Sequence, residues 1–341
     1  MHDLIVVGAG PVGSHLAREF AEKGRDVMLL EKGEVGKPLK GTGHVSTDIF
    51  DHVPKDESFV EKEIHGAVFH NNGSSFSFGR DHHTSYVINR PKFDRFMAKR
   101  AEEAGVNLRY EKFLDYENKG SNLEIKTSRG TYETRMVAGC DGPLSDVRLA
   151  AGLERPELFL QGIFTLVDEP AEQNFVEVFL NASNDFFGWK VPRKGKTEYG
   201  LCTELGNDSR SLLEEFSEKE GFKIGGIYSG LVPILPPKRV TGERLFLCGD
   251  AAGQVKPFSG GGLIYGFTAA EVAAEEIDPE DASTVEKYER MWRKKLEKEI
   301  SFGNKIRKFY KLPPFLRYPL LWLGNKMSKG AHMDKPSTLL K

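Results

Sequence analysis

Cysteine is scarce. Three residues in 341, Cys140, Cys202 and Cys248, make an odd number with neither C-x-x-C nor metal-ligand spacing. A disulfide framework and a cysteine-held metal are thereby excluded, and buried, inert thiols in a reducing cytoplasm are expected. Long hydrophobic runs are missing as well. No segment approaches the roughly 20 apolar residues that span a bilayer, and the N-terminus enters a strand-like run at once, leaving no room for a signal peptide. Charge of one sign is absent, since 48 Lys and Arg face 50 Asp and Glu for a net charge of −2, which argues against a general nucleic-acid binder. There is no internal repeat and no low-complexity segment. What is present is ordinary for a globular protein of about two domains: 39% hydrophobic and 29% charged residues.

Glycine is abundant and placed with purpose. Gly8, Gly10 and Gly13 lie in DLIVVGAGPVGSHLAREF, directly after an apolar run and before a helical pattern, and Glu31 ends the next apolar run, VMLLE. The first glycine permits a tight strand-to-helix turn, the second lets backbone approach a pyrophosphate, and the third lets the helix lie close on the strand. Phosphates would then face the N–H groups and positive dipole end of the helix, with Glu31 accepting from an adenosine ribose. This is a dinucleotide site in outline.

The far end of the chain adds a second site. RLFLCGDAAGQVKPFSGGGLIYGFTAAEVAAEEI reads as a buried strand over 245–247, then Gly249-Asp250, a glycine-rich loop and a helix. Asp250 suits a ribitol hydroxyl, and Gly260 to Gly262 clear side chains from a second helix N-terminus. Together with Arg90 opening RPKFDRFMAKRAEEAGV and the string GCDGPLSDVR, these motifs resemble the FAD-dependent group that includes para-hydroxybenzoate hydroxylase, flavin halogenases and geranylgeranyl reductases. The resemblance covers about 280 residues and implies noncovalent FAD. The cofactor contacts it implies are Gly8, Gly10, Gly13, Glu31, Lys32, Gly41, Thr42, Arg90, Leu114, Asp250, Gly262 and Leu263, with no metal. No second glycine fingerprint exists for a nicotinamide, so the electron donor, NAD(P)H or reduced ferredoxin, is expected to dock transiently.

The expected fold is mixed α/β: a Rossmann-like FAD-binding domain, an inserted, mostly antiparallel β-sheet substrate domain and a helical C-terminal region. The pattern divides into a discontinuous FAD-binding domain over 1–60, 88–150 and 240–285, a β-rich substrate domain over 61–87 and 151–239, and a helical region over 286–341. Alternation around Gly120 and Gly130 predicts a β-meander, and Phe93, Phe96, Met97 and Ala101 mark one face of a helix over 90–105.

Three stretches bear on the reaction. Phe187-x-Trp189-x-Val191-Pro192-Arg193 is similar to the Tyr-x-Trp-x-Phe-Pro-Lys string of geranylgeranyl reductases, with related residues at three of five positions. Two apart on a strand, Phe187 and Trp189 face one side. With Pro192 they either wall an apolar channel to the flavin or are plain sheet-core aromatics. The loop GKPLKGTGHVS resembles the reductase loop beside the isoalloxazine, with Gly41 where the family commonly has Cys, and His44 close by as a candidate proton carrier alongside Tyr265. In the tail, residues 290–311 hold nine Lys and Arg against two Glu, followed by the Trp/Tyr/Leu-rich LPPFLRYPLLWLGNKM. That combination suits peripheral contact with an anionic lipid surface, or a lid over an isoprenoid chain.

The resemblance implies a reductase of C=C bonds in the prenyl chains of lipids, digeranylgeranylglycerophospholipid foremost, with hydride from the N5 atom of reduced flavin and a proton from an acid or trapped water. A flavin monooxygenase or halogenase on the same scaffold, and a non-catalytic flavin or lipid carrier, are the alternatives.

Overall fold

The computed structural model describes residues 1–79, 84–327 and 334–340. Their strands form three sheets. The first is built on β1 (His2–Val7), β2 (Val27–Leu30), β8 (Asn107–Arg109), β11 (Thr131–Gly139), β17 (Thr241–Gly242) and β18 (Leu245–Leu247), in the order β17-β18-β11-β1-β2-β8, with β9 (Phe113–Asn118) and β10 (Leu123–Thr127) added to β11 as an antiparallel meander. The second takes β5 (Gly66–Asn71), β6 (Ser74–Gly79), β12 (Leu158–Val167), β13 (Phe175–Phe179), β14 (Gly188–Arg193), β15 (Lys196–Glu204) and β16 (Ile227–Ile234), ordered β16-β12-β15-β14-β13-β5-β6. The third is small: β3 (His44–Ser46), β7 (Ser85–Ile88) and β4 (Val60–Ile64). The stretch 61–87 is therefore divided between two sheets. The eight helices of the described residues are α1 (Pro11–Glu22), α2 (Ile49–His52), α3 (Arg90–Glu103), α4 (Asp146–Ala150), α5 (Ser209–Glu220), α6 (Leu263–Glu276), α7 (Val285–Arg307) and α8 (Pro314–Met327).

Parallel pairing explains the continuous apolar runs. β1 pairs in parallel with both β11 and β2, and β11 with β18. Helices cover both faces of such a sheet, so Leu4 to Val6 and Met28 to Leu30 are sealed from solvent on both sides. α1 and α6 pack against each other. The second sheet has one face under α5, where Leu213 and Phe216 meet Phe179 and Leu201. Its other face carries Phe186, Trp189 and Val191 against Tyr310 and Leu321 from the C-terminal region. α7 presents Tyr288, Trp292, Leu296 and Ile300, four residues apart, as its buried stripe.

α8 departs from a normal surface helix. Among its described side chains Arg317 and Leu321 are buried, the former donating to the Leu180 carbonyl and to Asn181 Oδ1 (2.6 Å), and Tyr318 meets Phe76 edge-on at 5.2 Å. Phe315, Leu316, Tyr318, Leu320, Trp322 and Leu323 are all exposed, Phe315 by 73%. Among the described residues no helix is long and apolar enough to cross a membrane.

Candidate functional site

Parallel strands end along one edge of the first sheet, and predicted cofactor residues follow three of their carboxyl ends, Gly8 after β1, Glu31 after β2 and Asp250 after β18, with Asp141 following β11. The turn after β1 is shaped by its glycines. A Cβ on Gly13 would lie 2.0 Å from the Gly8 carbonyl oxygen, so this position holds α1 onto the strand. Gly10 differs, because a Cβ there meets nothing within 4 Å. Its bareness keeps space open in front of α1, which no side chain caps. The Glu31 carboxylate accepts from Ala9 N–H at 3.0 Å and Gly33 N–H at 2.9 Å, which fixes it beside the turn, with exposed Lys32 next to it.

Asp250 is set by a chain of buried bonds. Gly249 N–H donates to Gln254 Oε1 (2.8 Å), Gln254 Nε2 donates to the Tyr288 hydroxyl (3.0 Å), and that hydroxyl donates to the Leu247 carbonyl (2.7 Å). No protein donor among the described residues hydrogen-bonds the Asp250 carboxylate. Burial pushes its pKa up, against the pull of Arg90 and Lys40. Gly262 caps α6 without a side chain, and a Cβ on it would lie 2.7 Å from Asp250 Oδ1, with Leu263 next in the helix. Two uncapped helix N-termini and an unpartnered carboxylate on one sheet edge fit an anionic dinucleotide with ribityl hydroxyls.

The loop 36–43 borders this edge. Gly41 and Gly43 both have left-handed backbone, φ +70 and +68, conformations that L side chains adopt at a cost. A Cβ at Gly41 would stand 3.1 Å from Arg90 Nη1, so the position that carries Cys in the resembling loop is here both strained and crowded for a side chain. Arg90 itself, at the start of α3, donates from Nε to Asp94 Oδ1 (3.2 Å). Thr42 Oγ1 accepts the His44 N–H (3.2 Å). Leu114 stands apart, on β9 of the meander with its side chain 54% exposed.

Phe187 and Trp189 share one apolar cluster with Leu39, Tyr310 and Leu321, their rings 6.4 Å apart and edge-on. Both are packed, with Phe187 stacked on Phe186 and against Tyr310, and Pro192 is buried beyond them. The indole N–H of Trp189 donates to Glu198 Oε1 at 2.8 Å.

The two proton-carrier candidates lie in a different polar cluster. His44 Nε2 and Ser85 Oγ are 2.8 Å apart, and the imidazole is pushed down to about 4, by burial first and by the Lys256 ammonium second, with Asp334 opposing. Burial raises the Tyr265 phenol, whose hydroxyl donates to the Asp334 backbone carbonyl at 3.1 Å. At neutral pH one is a neutral imidazole and the other a protonated phenol. Sequence reasoning passed over the centre of this cluster: buried Lys256 forms a 2.5 Å ion pair with Asp334, which also accepts from Ser46. The lysine in the glycine-rich loop was the one available signal.

Comparison with known proteins agrees with this geometry. Residues 1–224 match the family described as FAD binding domain. Over 90% of its length the chain is 30% identical to digeranylgeranylglycerophospholipid reductase 2 of Methanopyrus kandleri, covering 86% of that protein. Over 89% it is 31% identical to digeranylgeranylglycerophospholipid reductase 1 of Methanococcoides burtonii, covering 81% of it. Among solved structures, a geranylgeranyl bacteriochlorophyll reductase-like protein of Thermoplasma acidophilum shares the fold with a TM-score of 0.87 at 20% identity, across 99% of this chain and 94% of that one.

Proposed function

The chain belongs to the geranylgeranyl reductase family of FAD-dependent oxidoreductases, and from that premise we propose that it saturates C=C bonds in the prenyl chains of an ether phospholipid of the digeranylgeranylglycerol type. The observation that carries this reading is the apolar cluster of the second sheet. It runs from Leu321 on α8 through Tyr310, Phe187 and Trp189 to Leu39, two residues before Gly41. A greasy path between an exposed apolar helix and the loop at the cofactor edge suits a prenyl chain.

FAD, when bound, supplies hydride transfer. The residues that would hold it are the Gly8–Gly13 turn, Glu31, Arg90, Asp250 and the α6 N-terminus at Gly262 and Leu263. An isolated alkene is poorly electrophilic, so the chain's task is to hold it within about 3 to 3.5 Å of its reaction partner and keep water out. The packed faces of Phe187 and Trp189 support that task. Neutral His44 and the Tyr265 phenol, made less acidic by burial, hold only weakly acidic protons, so an ordered water polarised by the Lys256–Asp334 pair is the proton source this reading favours. NAD(P)H or a reduced ferredoxin would dock transiently as donor.

Anaerobic reoxidation of photoreduced holoprotein by digeranylgeranylglycerophospholipid tests the reading. The expected result is flavin reoxidation with a gain of H2 per double bond in the product mass. Reoxidation by O2 coupled to NAD(P)H consumption, with the lipid unchanged, would point to a monooxygenase.

A lipid substrate also gives α8 a role. Its exposed Phe, Leu, Tyr and Trp side chains, next to Lys305 and Lys308, match an interfacial helix on an anionic bilayer. Replacing Leu320 and Leu323 together by Ser is expected to lower vesicle affinity, read by co-sedimentation with phosphatidylglycerol vesicles, at least tenfold, because two such side chains, worth about 1.5–3 kcal/mol each when fully buried, exceed the roughly 1.4 kcal/mol of a tenfold change even when only about half buried. Equal sedimentation of parent and variant would remove α8 from the lipid contact.

A further inference from the structure

Arg193 closes the string that holds Phe187 and Trp189, and it is 7% exposed. Each of its three guanidinium nitrogens donates. Nε donates to Glu198 Oε2 at 2.9 Å, Nη1 to Glu61 Oε2 at 2.8 Å, and Nη2 to the backbone carbonyl of Thr42. Each partner belongs to a different part of the protein. Glu198, with no exposed surface, is the same carboxylate that accepts the Trp189 indole N–H. Glu61 accepts from Asn89 Nδ2 at 2.7 Å, and Asn89 Oδ1 caps α3, whose first residue is Arg90. Thr42 lies between the two left-handed glycines of the cofactor-edge loop.

These contacts border a cleft of about 260 Å³ lined by Leu39, Glu61, Asn89, Pro91, Leu166 and Arg193. On its far side the loop meets the small sheet, where Ile88 N–H donates to the Gly43 carbonyl at 2.9 Å. From the second sheet, the charged Arg193 guanidinium holds the Thr42 peptide by its carbonyl. A planar fork spreads its donors over three nitrogens and so reaches two carboxylates and a carbonyl in fixed directions, whereas a lysine carries its three N–H groups on a single atom.

We infer that Arg193 is a positioning residue that sets the Gly41–Gly43 loop against the substrate sheet, and that through Glu198 it couples the Trp189 indole to that loop. The inference rests on the reading of this edge as the FAD and prenyl-lipid site and assigns how its two halves are registered. A chain entering past Trp189 would disturb the indole's bond to Glu198, shift the carboxylate's share of Arg193, and so change the hold on the Thr42 carbonyl. No chemical step is assigned to Arg193.

The test is hydrogen exchange at the His44 and Ile88 amides, both bonded to the loop, in FAD-free protein, followed by the visible spectrum of the holoprotein. Arg193→Lys keeps the cation and removes the fork. It is expected to speed exchange at these two amides at least tenfold, leave strands β1 and β12 at parent rates, and shift the flavin band. Glu198→Gln, milder and isosteric, is expected to act in the same direction by a few-fold. Trp189→Phe is expected to abolish the change in the flavin band that the prenyl lipid induces in the parent. Parent-like exchange at His44 and Ile88 in Arg193→Lys overturns the inference, as does loosening spread evenly over the second sheet, which would mark Arg193 as a general structural residue. A parent protein that takes up no FAD would overturn the cofactor reading instead, and the FAD-free exchange comparison would still decide the clamp.

Discussion

Gly10→Val is expected to give a folded, colourless protein. Gly10 has φ −67 and ψ 174, backbone that valine adopts freely, and its Cβ would point into open space. The variant apoprotein should therefore melt within a degree or two of the parent apoprotein, since nothing in the chain is displaced. The space it fills is the one in front of the uncapped α1 N-terminus, where a pyrophosphate would lie. A branched side chain there is expected to weaken FAD binding at least 100-fold, on the order of 3 kcal/mol. Gly13→Val makes the instructive contrast, because its side chain would collide with the Gly8 carbonyl and damage the fold itself. FAD titration of the two apoproteins, with thermal unfolding alongside, separates loss of ligand from loss of structure. Undiminished FAD affinity in Gly10→Val would move the phosphate site elsewhere.

The separation between these glycines shows what the sequence could and could not convey. Strand, turn, helix and second strand are local features, each written in a run of about ten residues, and the parallel sheet follows because the runs LIVV and VMLL are apolar on both faces. The Asp250 turn and its glycine loop are equally local. Residue spacing also put Phe187 and Trp189 on one side of a strand; the structure has Trp189 in β14 and Phe187 just before it, both in one cluster. What the pattern could not carry was partnership at a distance. Arg193 meets Glu61 across 132 residues, and Lys256 meets Asp334 across 78. Nothing local distinguishes those charges from the solvated ones that make up the rest of the 29%. Exposure was illegible for the same reason. The apolar stretch 315–323 has the composition of a core helix, and only the packing of Arg317 and Leu321 shows that most of it faces outward. The proton-carrier candidates illustrate the limit from the other side. His44 is visible as a histidine near a glycine loop, but its lowered pKa comes from burial and from a lysine more than two hundred residues away.

That lysine leads to the second large effect. Lys256 and Asp334 are 5% and 3% exposed and bonded to each other, so removing either takes the facing charge away from a buried ion. Lys256→Met alone is expected to cost about 3–5 kcal/mol of folding stability, and Lys256→Met with Asp334→Leu to recover much of that, because an apolar pair of similar volume replaces the ions. The same cluster sets an acid limit. Folded His44 titrates at about 4 against 6.5 for an ordinary histidine, so between these pH values the unfolded chain binds a proton that the folded chain refuses. Stability therefore falls as pH drops from about 6.5 to about 4, by up to roughly 3 kcal/mol from this residue. His44→Gln should flatten that part of the curve. Lys256→Met removes a repelling charge and should raise the His44 pKa, whereas Asp334→Asn removes an attracting one and should lower it further. Imidazole NMR titration and denaturant unfolding at several pH values measure both effects. A pH profile that is the same in parent and His44→Gln would show that His44 is not buried in this cluster in solution, and a His44 pKa that falls in Lys256→Met or rises in Asp334→Asn would show that these two charges do not act on it as the structure has them.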